Sequence, residues 1–225
     1  MILRRLFQRA APARSSLAEG LLAPLAGAGL AAEVVAGDAP ERAAGLRAHV
    51  ADRGLVRVGE GGPPDFVRVT SEGGGDGHFV RSAAVGFHFL VRREGRPGSI
   101  AAGWWLPGKV VAQREFGGLG RAHAFHWQAT MDESDVAAPQ AVAAADALNA
   151  MRLLREPILE LLQDPKTLVL EVATAVFGGD GEASLLRVSV FFGGREEIAA
   201  AEVELMRSVC RALADARAPS APAGG

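Results

Sequence analysis

Between Leu55 and Thr130 the chain breaks into short runs of strand-forming residues, and the turns between them are rich in glycine and too short to hold a helix. "LVRV" and "DFVRVTSE" are separated by "GEGGPP", and "HFVRSAAVGFHFLVRR" follows "GGGDG"; "SIAAGWWL", "KVVAQREF" and "HAFHWQAT" come next. A parallel pair needs a crossover of a dozen or more residues, so these runs predict an antiparallel meander. Val85, Phe87, Phe89 and Val91 share one face of their strand, and Gly86, His88 and Leu90 share the other. One face is therefore core.

Helical spacing flanks the meander. From Ser15 to Arg53 two helices are expected, "LAEGLLAPLAGAGLAAEVV" with Ser16 as N-cap, then "ERAAGLRAHVADRG" carrying His49. After the meander, "APQAVAAADALNAMRLLREPILELLQD" sets Leu148, Met151, Leu154, Ile158 and Leu161 in a stripe, with a kink or restart expected at Pro157. "KTLVLEVATAVF" and "SLLRVSVFF" form a hairpin through "GGDGEA", and a last helix is expected from about Arg195 to Ala216. The expected fold class is α+β: an antiparallel meander plus a C-terminal hairpin packed against helices on one face. Residues 15–217 are expected to form one domain, between a basic segment 1–14 and a disordered tail 218–225. The element order is similar to the general layout of type III secretion chaperones and related bacterial chaperone-like domains, a likeness of order and not of motif.

The chain has 225 residues, of which 49% are hydrophobic and 22% charged, so it can bury a core. A formal net charge of −2 offers no footprint for a nucleic-acid backbone. Only Lys109 and Lys166 are lysines, tyrosine is absent, and alanine, glycine and arginine are abundant, as in a GC-rich bacterial genome. No apolar run approaches the roughly 20 residues of a membrane span. The opening "MILRRLFQRAAPARSS" is basic and amphipathic. It is read as an ordinary start to a cytoplasmic protein, with a mitochondrial presequence as the alternative. Cys210 is the only cysteine, which rules out an intrachain disulfide, and it falls on a helical face with Met206 and Leu213 where a buried thiol is expected.

The stretch "GLGRAHAFHWQATMDESD" gathers His123, His126 and Trp127 ahead of Asp132, Glu133 and Asp135. Strand alternation points His123 with Phe125 and Trp127, and His126 with Ala124 and Gln128, so the two imidazoles diverge and fit no zinc-pair spacing. A metal or small-molecule site would need a partner from another strand, and His88 or His78 is the obvious donor. "EGGGDGH" and "FGGLGRAH" lead into strands, where a phosphate loop would lead into a helix. No nucleophile elbow or cofactor motif is present, and Glu196 and Glu197 fit a helix start. The adjacent Trp104 and Trp105 must face opposite sides of a strand, which makes one of them a candidate protein contact. Two functions are therefore expected to compete. The first is a non-catalytic interaction or assembly module without cofactor, binding a protein partner or itself as a homodimer. The alternative is a small-molecule or metal-dependent enzyme built on His88, His123 and His126.

Overall fold

The computed structural model describes residues 17–36, 50–59, 62–72, 84–92, 109–118, 120–130, 139–177 and 183–215. Two short helices lead, α1 (Leu17–Gly20) and α2 (Leu22–Gly27), followed by strands β1 (Ala32–Val34), β2 (Val50–Val58), β3 (Phe66–Glu72) and β4 (Ala84–Arg92). After β4 come β5 (Lys109–Phe116), β6 (Ala122–Thr130), helices α3 (Pro139–Ala150) and α4 (Arg152–Gln163), the hairpin β7 (Thr167–Phe177) and β8 (Ala183–Gly193), and α5 (Ala200–Asp215). All eight strands join one antiparallel sheet in the order β1-β2-β3-β4-β8-β7-β5-β6. The α+β class and the one-sided helical layer are as the sequence pattern predicts.

Three local expectations give way. The first helix does not run on to Val35. Gly29, at φ +73°, closes α2 in a left-handed C′ position, with Gly29 N–H donating to Ala26 C=O and Leu30 N–H to Leu25 C=O. That double closure ends the helix and buries Leu30, so residues 32–34 extend as a strand. Residues 50–53, predicted as helix, open β2; the rest of that predicted helix, with His49, lies outside the described residues. The break in the long helical stretch falls at Met151 (ψ 80°), not at Pro157. Pro157 then sits inside α4 and forfeits one bond, to the carbonyl of Leu153, a residue 93% exposed where water can serve it.

The predicted meander is also divided. The β7–β8 hairpin enters between β4 and β5, with β8 paired to β4 along nine residues. Its alternation matches its neighbour: Leu186, Val188, Val190 and Phe192 lie on the same side as Val85, Phe87, Phe89 and Val91, and all are buried. The β7–β5 seam is short by comparison, with Val110 opposite Val172 and Val111 opposite Glu171, and the Arg114 guanidinium reaches across to the Thr167 carbonyl. Every helix faces the same side of the sheet. Leu21 and Leu25, Leu148, Ile158 and Leu162, and Val203, Met206, Val209 and Leu213 join the strand residues in one core. A smaller apolar cluster, Val35, Leu55, Phe66 and Leu90, lies on the other face over β2 to β4. The start of α5 is fixed by Glu202, which accepts from Ala199 N–H at 2.7 Å and pairs with Arg195, while Arg195 lies over the Phe192 ring. Glu196 and Glu197 precede that helix and are exposed.

Candidate functional site

Alternation along β4 turns His88 away from the helices, onto the second face of the sheet. There it is buried among polar groups supplied by the flanking strands. Its Nε2 lies 2.8 Å from Thr70 Oγ1 on β3, and its Nδ1 lies 2.9 Å from Ser189 Oγ on β8. The Phe191 ring meets it edge-on at 5.3 Å. Burial holds its pKa well below the ordinary imidazole value, and the positive fields of Arg187 and then Arg68 add to that. A neutral imidazole donates from one nitrogen and accepts at the other, so two hydroxyls complete its bonding and tie three strands together. The arrangement lacks the parts of a nucleophilic site: the nitrogen away from Ser189 meets Thr70 where a triad would present a carboxylate, and Ser189 is fully buried. Next in the row, Glu171 is buried on β7 and pairs with Lys109 of β5 at 3.0 Å and Arg187 of β8 at 3.2 Å.

On β6 a bulge changes the phase of the strand. Phe116 opposes Ala122 and Glu115 opposes Ala124, which leaves His123 as the extra residue. Ala122 thereby joins Phe125 and Trp127 in the core, and His123 is exposed at the sheet end instead of sharing their buried side. His126 faces the other way and pairs with Glu115 at 3.0 Å, both side chains about half exposed. Three strands stand between β4 and β6 in the sheet, so His88 lies four strand spacings, about 19 Å, from the β6 histidines. The structure does not bring the three together. Among the described residues no cluster of three or more His, Cys, Asp and Glu side chains could hold a metal ion. His126→Ala is expected to cost less than about 1 kcal/mol, the scale of an exposed polar side-chain pair, and to leave metal content unchanged; stoichiometric zinc lost with this substitution would contradict the geometry.

Trp104, Trp105, His78 and the acidic turn 132–135 lie outside the described residues. The apolar face of the last helix is turned inward: Ile198, Val209 and Leu213 are buried and Leu205 packs against them. Cys210 is buried with them, and its thiol is pushed far up the pH scale by desolvation. No described helix is long and apolar enough to cross a membrane. The crevice between Trp127, Asn149, Met151 and Arg155 admits no more than a water-sized guest.

The open part of the sheet is elsewhere. Over β3 and β4 the second face is closed, with Arg68, Thr70 and His88 buried; over β8 and β7 Ser189 and Glu171 are buried beside half-buried Arg187, Phe191 and Val169. Over β5 and β6 it is accessible: Val111, Gln113 and Ala124 are half-buried, and Glu115, His126 and Gln128 are exposed. This division carries no local sequence signal, because strand order decides which part of a face is central. The chain matches no protein-family model, no curated protein and no solved structure, so the likeness of layout to secretion chaperones gains no support.

Proposed function

We propose that this chain is a non-catalytic interaction module that binds a protein surface, of a partner or of a second copy, through the open strip of β5 and β6. The observation that carries this reading is the gradient along one sheet face: closed over β3 and β4, tied by buried Ser189 and Glu171 between half-buried side chains over β8 and β7, and most exposed over β5 and β6, where Glu115, His126 and Gln128 stand out. The strip mixes small apolar and neutral polar side chains with Lys109, which pairs with Glu171, and with the exposed His126–Glu115 pair. That is the mixed surface typical of non-obligate protein contacts. The titratable groups of the alternative, enzymatic reading have other employment: His88 joins β3, β4 and β8, Glu171 joins β8, β7 and β5, and His126 stands beside Glu115.

Sedimentation of the purified chain, alone and in extract of its native host, tests this. The chain is expected to sediment as more than a monomer in one of the two. Val111→Arg combined with Gln128→Arg, both on the open strip, should weaken that association by at least about tenfold, or 1.4 kcal/mol, and leave the melting transition in place. A monomer in both conditions, or an association indifferent to the pair of substitutions, would remove the strip as the binding surface.

A further inference from the structure

β6 is the last strand of the sheet, and its outer side pairs with no described strand. An open edge is a template for another strand, and proteins ordinarily blunt such edges by keeping them short or by placing charge or proline on them. The opposite edge obeys this rule: β1 has three residues, one of them Glu33. β6 breaks it. Its nine residues, AHAFHWQAT, include no Lys, Arg, Asp, Glu or Pro. What closes the edge comes from the helices. Asn149, in the last turn of α3, accepts from Trp127 N–H at 2.8 Å through Oδ1 and donates to Trp127 C=O at 3.0 Å through Nδ2. Its carboxamide thus takes both groups that a neighbouring strand would take at that residue. Gln163, the last residue of α4, donates from Nε2 to Ala122 C=O at 2.9 Å farther along the same edge.

We infer that Asn149 and Gln163 are plugs on a latent strand-pairing edge, and that withdrawing them lets β6 pair antiparallel with β6 of a second copy. The second copy is the occupant that the strand itself selects. Antiparallel pairing of two identical edges has twofold symmetry and closes after two chains. An edge without Lys, Arg, Asp or Glu carries no permanent like charges to oppose its own copy. Leu148, buried beside Asn149, and the buried Trp127 side chain hold α3 against β6, so the plug is set by core packing and leaves only if the end of α3 moves or its side chain is replaced. This contact is made through the strand edge and is independent of the open face described above.

The test is Asn149→Ala with Gln163→Ala in the full chain, read by light scattering across a concentration series and by hydrogen exchange at the Trp127 amide. In the wild type that amide is expected to be protected at every concentration. In the double variant at low concentration it should exchange at least about tenfold faster, and as concentration rises it should regain protection together with a species of twice the wild-type mass. A mass equal to the wild type's throughout, with the amide exchanging freely, overturns the inference; so does a heavier species in which the amide stays unprotected, because the contact would then lie elsewhere. Should the double variant lose its near-ultraviolet dichroism, Asn149→Asp answers the question. It keeps the size of asparagine and the acceptor for Trp127 N–H but sets a carboxylate against Trp127 C=O. The same doubling of mass is expected, and its absence in that folded variant overturns the proposal.

Discussion

Gly54→Ala is expected to destabilise the chain by about 2 to 6 kcal/mol, from two costs that act at one atom. Gly54 lies at a register shift in β2, where Asp52 opposes Thr70 and Gly54 opposes Val69, leaving Arg53 as the extra residue. Its φ of +136° is a conformation that L side chains rarely adopt, and Asp52 Oδ1 fixes it by accepting from Gly54 N–H at 3.0 Å. A Cβ there would also sit 2.4 Å from the Cβ of Ala18, where α1 presses onto the sheet. Backbone strain costs about 1 to 3 kcal/mol and overpacking about as much again. Gly29 is the internal comparison: its φ is +73°, but no heavy atom lies within 4 Å of the position a Cβ would take, so Gly29→Ala should show the backbone cost alone. Urea unfolding of the two variants separates the costs. Ala18→Gly added to Gly54→Ala should restore the steric part, and a double variant no more stable than Gly54→Ala alone would show that α1 does not press on β2 as described.

Much of this architecture is legible one element at a time. The alternation of Val85, Phe87, Phe89 and Val91 and that of Leu186 to Phe192 mark two strands with one core face each, and the sheet uses both as their patterns require. Pairing partners are harder to read, because the same alternation suits any neighbour whose core residues fall in phase. Nothing local says that β8 belongs beside β4, 101 residues from His88 to Ser189, and the division of the meander follows from that one pairing. The helix ends were missed for a more local reason. Gly29 reads as one more small residue in an alanine-rich helix until its two closing hydrogen bonds are seen. The divergence of His123 and His126 is legible from strand phase, but the bulge that exposes His123 is not. Asn149 and Gln163 carry no signal at all in the sequence. Each looks like an ordinary polar helix residue, and its role exists only because α3 and α4 end beside an edge that lacks charge.

Lowering the pH below the ordinary imidazole value of about 6.5 is expected to weaken the fold through His88. The sign follows from burial: the folded state holds this ring neutral while the unfolded chain protonates it freely, so the unfolded state binds more protons in the window between the ordinary pKa and the lowered one. The contribution is complete above the ordinary value and is lost progressively as pH falls through that window. Its slope approaches 1.4 kcal/mol per pH unit, the limit for one proton. Each strand packed against the ring contributes to the cost of charging it. Arg68 on β3 and Arg187 on β8 disfavour a third positive charge, and Glu171 on β7 is already paired with Arg187 and Lys109. His88→Leu should cost about 2 to 5 kcal/mol at pH 7.5, because Thr70 and Ser189 each lose a partner worth about 1 to 3 kcal/mol when buried. His88→Gln, which keeps a donor and an acceptor, should cost less than His88→Leu. Its decisive property is the pH profile. Urea unfolding at pH 7.5 and at pH 5 should show the wild type losing its advantage over His88→Gln at the lower pH, since the variant has no ring to protonate. An advantage that is equal at both pH values would mean that His88 is not held neutral by its surroundings, and that the hydroxyl pair on β3 and β8 does not depend on the charge state of the ring between them.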